Sequence, residues 1–283
     1  MKKELLALIA RSENIPPLPD ILTSLERKIN DPESDINDIS ALIETDPVLS
    51  GKLVKLANSV FFSGGGERSK DMSEAVLRLG IKMVLELIYT IELPNIFKKP
   101  KGFDSLVFWR HSLAVAFLSK SIALHASSRL SKEEVEVSYL AGLMHDLGIL
   151  IFDFLIPAEY EEFLKETASS RGDLCSLEKK RFGISHPELG AEFIRRWWPV
   201  SAEVVDAVKC HDEPTNKTRS LARVVALANQ LAYESGFEQG TDRPHGDDAL
   251  RQLNESGISP NELKVIIEST QEGIRDAERL LNQ

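Results

Sequence analysis

Between residues 140 and 156 the chain reads LAGLMHDLGILIFDFLI, its most apolar run, and two polar, metal-competent side chains stand inside it, His145 and Asp146. The flanking Leu140, Leu143, Leu147, Leu150 and Ile151 demand burial and carry the doublet inward with them. An unpaired carboxylate in an apolar interior is costly, so Asp146 needs a partner there. A metal ion, another side chain or the free N–H groups of a helix start would each serve. Because His145, Asp146 and Asp153 interrupt the run, a buried helix suits it better than a membrane span.

Much of the remaining chain repeats with helical period. DPVLSGKLVKLANSV (46–60) opens with Asp46 as N-cap and Pro47 at the first helical position, and its apolar residues fall at 49, 53, 56, 57 and 60. Further helical patterns are predicted at 39–45, 104–127, 131–151, 157–169, 187–197, 201–210, 218–235 and 259–281. One more lies at 73–80, with Ser73 as cap and Gly80 as stop. Alternating apolar and polar runs bounded by turn residues are hard to find, so the expected fold class is all-α, a helical bundle. LPNIFKKPKGF (93–103), with two prolines, a glycine and Lys98, Lys99 and Lys101, marks the expected boundary between an N-terminal helical subdomain (1–97) and a second one (98–283).

Composition narrows the function classes. With 283 residues, 42% of them hydrophobic and 28% charged, the chain reads as a globular protein with ample material for a core. A formal net charge of -10 argues against broad, non-specific nucleic-acid binding, with Lys98, Lys99 and Lys101 the one short basic cluster. A helix-turn-helix reading of 39–60 and 73–80 fails for the same reason, since Lys52 and Lys55 are the only cations of its recognition helix. GGGERSK (64–70) lacks the spacing and the preceding strand of a phosphate loop. Cys175 and Cys210 are too few for a disulfide framework, and polar residues interrupt the basic start before any secretory apolar stretch. A cytoplasmic location without a membrane partner is expected.

Of the six histidines, His125 and His245 lie in polar surroundings and read as solvated. The other four have neighbours that suggest a site. His111 lies in the apolar FWRHSLAVAFL. His145 adjoins Asp146. His186 follows Ser185, whose spacing from Glu188 is that of a capping box, and His211 ends a helix and precedes Asp212 and Glu213. Facing helices can project such scattered side chains into a common interior. Imidazole suits Fe, Mn, Zn or Ni, and an aspartate can bridge two ions, the arrangement that activates water against a phosphate ester.

Taken in order, LPDIL (18–22), IETDPVLSGKLVKLANS (43–59), AVLRLG (75–80), FWRHSLAVA (108–116), AGLMHDLG (141–148), SHPELGAEFI (185–194), WWPVSAEVVDAVKCHDEP (197–214) and ALANQLA (226–232) resemble the HDOD family, a regulatory branch of the HD phosphohydrolase superfamily. The resemblance spans about residues 14–232. It implies an all-α fold with an HD-like core, bacterial signalling, and metal ligands at His111, His145, Asp146, His186 and His211, to which the carboxylate of Asp212 can be added as a metal-capable neighbour. It also implies departures from the cyclic-dinucleotide-cleaving relatives. Ile149 stands where they carry a lysine, Asn229 where they carry a metal-binding aspartate, Asp212 where they carry a second histidine, and the GYP motif is absent. Two functions follow as expectations. One is a signalling module that binds a nucleotide-like small molecule or a signalling protein partner without catalysis. The other is a metal-dependent phosphohydrolase acting on a nucleotide or cyclic dinucleotide. A ligand set adequate for one divalent metal and poor for two favours the first.

Overall fold

The computed structural model describes residues 1–11, 17–63, 66–97, 100–168, 173–212, 220–239, 253 and 258–281. Among the described residues there are helices and no strand. They form two compact units, Met1–Pro16 with Phe97–Lys264, and Pro17–Ile96 with Val265–Gln283.

Helix α1 (Lys2–Ile9) belongs to the first unit. The second contains α2 (Asp20–Ile29), α3 (Ile36–Glu44), α4 (Pro47–Ala57), α5 (Val60–Ser63), α6 (Met72–Leu79) and α7 (Ile81–Ile96). Helix α4 begins as its sequence dictates: the Asp46 carboxylate accepts the N–H groups of Val48 and Leu49 at 2.9 and 3.0 Å. Its apolar stripe, Leu49, Leu53, Leu56 and Ala57, is buried. Helix α6 is capped by Asp71 and not by Ser73. The Asp71 carboxylate accepts from Glu74 N–H at 2.8 Å, and an anion at a helix start also gains from the helix dipole.

The first unit continues with α8 (Ser105–His125), α9 (Lys132–Glu136), α10 (Ser138–Met144), α11 (Leu147–Leu155), α12 (Pro157–Thr167), α13 (Leu174–Phe182), α14 (His186–Trp197), α15 (Ala202–Cys210) and α16 (Ser220–Glu234). Helix α17 (Pro260–Leu281) supplies residues 260–264 to it and the rest to the second unit. Helix α10 packs between α8, α15 and α16, while α14 packs on α11 and α15. The α8–α10 approach depends on Gly142, where a Cβ would stand 2.7 Å from the Val115 carbonyl oxygen and 2.8 Å from Ala116 Cα. In the same unit, Trp197 donates its indole N–H to Ile9 O at 2.8 Å, and Trp198 is buried against Phe97 and Phe193.

The single helix expected over 131–151 is three helices, interrupted at Val137 and at His145–Asp146. Residues 138–153 are buried on every side, so their apolar periodicity carries no mark of the break. Among the described residues, Ser138–Leu155 is the one stretch long and apolar enough to cross a membrane, and 89% of it is buried inside the fold.

Candidate metal centre

The break between α10 and α11 turns both members of the doublet toward one point. Asp146 occupies the N-cap of α11, yet its carboxylate makes no capping bond. It faces imidazoles instead. Its Oδ1 lies 3.3 Å from His186 Nε2 and 3.2 Å from His211 Nε2, while Oδ2 lies 2.8 Å from His145 Nε2 and 3.8 Å from His111 Nε2. Asp212 joins from beside His211, with Oδ1 3.3 Å from His211 Nε2 and Oδ2 3.5 Å from His186 Nε2. The fold therefore brings together all six residues singled out in the sequence, from α8, the end of α10, the start of α14 and the end of α15.

Each imidazole is held in one tautomer. Nδ1–H donates to a backbone carbonyl in His111 (Phe237 O, 2.6 Å), His145 (Gly142 O, 2.8 Å) and His211 (Val208 O, 2.8 Å), and to the Glu178 carboxylate in His186 (2.8 Å). These acceptors cannot donate, so Nδ1 carries the proton and a neutral ring points its Nε2 lone pair inward. Asp146 Oδ1, His186 Nε2 and His211 Nε2 are buried without a hydrogen-bond partner. Lone pairs facing one another at such distances require a proton or a cation between them. Two ligands each about 2.1 Å from one ion stand roughly 3 to 3.5 Å apart at ordinary coordination angles, the range of the spacings of His186 and His211 from Asp146 and Asp212. Imidazole nitrogen and carboxylate oxygen form a donor set for a divalent metal, and these groups can hold one.

The electrostatics are those of a coupled cluster. Burial works against the charge on Asp146, but the surrounding histidines, His145 foremost and then His186 and His211, outweigh it and hold the carboxyl well below its usual range. Burial, reinforced by His145, pushes His111 down to about 4. For His186 the burial penalty is overcome chiefly by Glu178, and for His211 by Asp212 and Asp146, so both rings hold a proton more tightly than usual. Asp212 stays low because His211 and His186 outweigh its burial.

Several residues around the centre had no signal in the sequence. The Glu178 carboxylate accepts the His186 backbone N–H at 2.6 Å with the same oxygen that takes its Nδ1–H, and its other oxygen accepts the Tyr160 hydroxyl at 2.7 Å. It thus replaces the capping box expected from Ser185 and Glu188; Ser185 is the N-cap of α14 but makes no side-chain cap bond. The Cys175 thiol, kept protonated by burial, donates to Asp212 Oδ2 at 2.7 Å. Gln239 donates to Asp146 Oδ2. Asn229, which the family resemblance sets at a metal-ligand position, hydrogen-bonds the His111 ring. Gly148 did carry a signal, two residues past Asp146. A Cβ there would run into the His186 carbonyl, 2.6 Å from its carbon and 2.9 Å from Cα, and one on Gly190 would stand 2.8 Å from Gly148 N. These two glycines let α11 and α14 touch through their backbones, which sets His186 opposite Asp146. Ile149 is fully buried. His125 is exposed and bonded to Ser121 O, away from the cluster. Glu213, His245, Lys98, Lys99, Gly64 and Gly65 lie outside the described residues.

Residues 15–214 match the family model of the HDOD domain. The chain belongs to the HDOD family. A relative of this HDOD protein in Treponema pallidum (strain Nichols), described as an uncharacterized protein, is 28% identical over 236 residues, which are 81% of the chain and 45% of that protein. The chain therefore spans less than half the length of this relative. Among solved structures, an HDOD domain protein of unknown function from Geobacter sulfurreducens matches at a TM-score of 0.72 and 25% identity, over 99% of this chain and 98% of that one. A candidate phosphohydrolase from Shewanella amazonensis SB2B matches at 0.73 and 23%, over 97% and 98%. A candidate signal-transduction protein from Marinobacter aquaeolei VT8 matches at 0.66 and 20%, over 99% and 64%. The last two likenesses establish a shared fold.

Proposed function

We propose that this HDOD protein is a signalling module whose His–Asp centre holds a divalent cation and uses it to bind a nucleotide-like small molecule, or to support a surface read by a signalling protein partner, without bond cleavage. The observation that carries the reading is the convergence of four Nε2 atoms, each with its Nδ1–H tied back, on one buried carboxylate. The ion would draw its ligands from His111, His145, Asp146, His186, His211 and Asp212. Its chemistry when bound is to offer positive charge to phosphoryl oxygens and to acidify water. Fe, Mn, Zn and Ni all suit the donors.

The case against catalysis rests on the chain's own residues. Ile149 is buried and apolar where cleaving relatives carry a lysine, so it brings no charge to a transferring phosphoryl group. Asn229 supplies a neutral amide where they supply a carboxylate, which weakens attraction for a second cation. A phosphohydrolase is the second reading, favoured by one feature: histidines flank both oxygens of Asp146, as a bridging carboxylate needs.

Metal analysis of the purified protein, followed by assays with Mn²⁺ or Fe²⁺ on a cyclic dinucleotide and a nucleotide, tests both. The expected result is bound metal with no turnover above that of Asp146→Ala. Turnover abolished by Asp146→Ala would establish the hydrolase, and a protein that binds no metal would overturn both readings.

A further inference from the structure

The donor atoms fall into two sets that share Asp146: His111 and His145 beside Oδ2, His186 and His211 beside Oδ1. Their surroundings differ. The Oδ1 side has a second carboxylate, Asp212, within 3.5 Å of both of its imidazole nitrogens, and Glu178 behind His186. The Oδ2 side has two neutral amides, Asn229 on the His111 ring and Gln239 on Oδ2 itself.

Gln239 arrives on a short strap. After α16 the chain turns at Gly236, Phe237 N–H bonds to Ala232 O at 2.9 Å, and Phe237 O takes the His111 Nδ1–H at 2.6 Å. Two residues later the Gln239 side chain is buried, its amide donating to Asp146 Oδ2. An oxygen that accepts an N–H bond has one of its two lone pairs engaged and shares its negative charge with that hydrogen, so it offers less to a cation than a bare carboxylate oxygen does.

We propose that Gln239 is a built-in cap on Asp146 Oδ2, restricting the centre to one cation held by Asp146 Oδ1, His186, His211 and Asp212. This rests on the reading that the centre binds a cation at all; it specifies which half does so, and why the other does not. Hard divalent ions follow anionic oxygen, and here both anionic contributions lie on the Oδ1 side once Oδ2 is taken. Gln239 acts as a positioning residue through Asp146.

The test is a Mn²⁺ titration of the full chain, stripped with chelator and followed by electron paramagnetic resonance. Bound ions leave the free-ion signal, and a neighbouring pair gives an exchange-coupled spectrum. Wild type should take one equivalent without coupling. Asp212→Asn should bind about tenfold more weakly, or worse. Asn229→Asp combined with Gln239→Ala supplies a carboxylate and frees Oδ2, and should admit a second, coupled ion. Two coupled ions in wild type would overturn the proposal whether or not the double variant folds. So would undiminished binding by Asp212→Asn, or a double variant with native circular dichroism and its first ion that refuses a second. Wild type binding no ion would also defeat the broader metal-binding reading, whereas two coupled ions would leave that reading standing.

Discussion

Replacing Glu178 separates orientation of His186 from simple filling of the core. This buried carboxylate accepts three hydrogen bonds: the His186 N–H at 2.6 Å, the His186 Nδ1–H at 2.8 Å and the Tyr160 O–H at 2.7 Å. In Glu178→Gln the amide oxygen can keep both His186 bonds, and the amide nitrogen can donate to a rotated Tyr160 hydroxyl. Only the charge is lost. Three bonds worth about 1.5–3 kcal/mol each become neutral bonds worth about 0.5–1.5, so the loss is about 4 kcal/mol. Glu178→Ala instead strands three buried donors at about 1–3 kcal/mol each, for a total of about 5 kcal/mol or more. In a unit of this size each kcal/mol lowers Tm by about 2–4 °C, giving about 8–16 °C for Gln and about 10–20 °C or more for Ala. Loosening the ring's second hydrogen bond should also weaken Mn²⁺ binding about 10–100-fold in either variant. Thermal unfolding by circular dichroism and Mn²⁺ titration provide the two readouts. Equal melting of the two variants, or wild-type Mn²⁺ affinity in Glu178→Gln, would refute the role given to this carboxylate.

Three further outcomes are expected. In Gly148→Ala the new Cβ overlaps the His186 carbonyl oxygen, which must retreat by roughly 1.5 Å to reach ordinary contact, lowering stability by about 3 kcal/mol or more together with Mn²⁺ affinity; unchanged melting would show that α11 and α14 do not need the bare backbone contact. Cys175→Ser keeps a donor for Asp212 Oδ2 and Cys175→Ala does not, so Ala should weaken Mn²⁺ binding about tenfold more than Ser, and equal affinities would remove the thiol's role. His111 titrates near 4 in the metal-free fold and near 6.5 when unfolded, so the unfolded chain gains the proton first as pH falls. Stability is therefore full above about 6.5 and declines toward about 4, by about 3 kcal/mol from this group; urea unfolding in chelator should show His111→Gln with a flatter profile over that window.

Local chemistry made much of the helical architecture legible. Asp46 followed by Pro47 and a stripe at 49, 53, 56 and 57 encodes the start and buried face of α4 within a dozen or so residues, so no distant partner is needed to read it. The same logic misplaced the cap of α6 and missed the break at His145–Asp146, where uniform burial erases periodicity. The histidines and aspartates of the centre were legible as an ordered set of motifs, because each keeps a distinctive local context. Their spatial convergence was not visible in any one motif. Ser185 and Glu188 have the spacing of a capping box, yet Glu178 from the preceding helix takes the bonds, since a buried carboxylate can satisfy the ring and the helix start together. Gln239 and Asp146 stand 93 residues apart, and His111 and Phe237 stand 126 apart. No pattern of neighbours announces such pairs. The sequence by itself determined the helices and the chemical types of the candidate ligands, because those depend on each residue and its near neighbours. Only the tertiary structure decided which lone pairs face inward, which are tied back, and which carboxylate oxygen is covered, because those depend on bonds between segments distant along the chain.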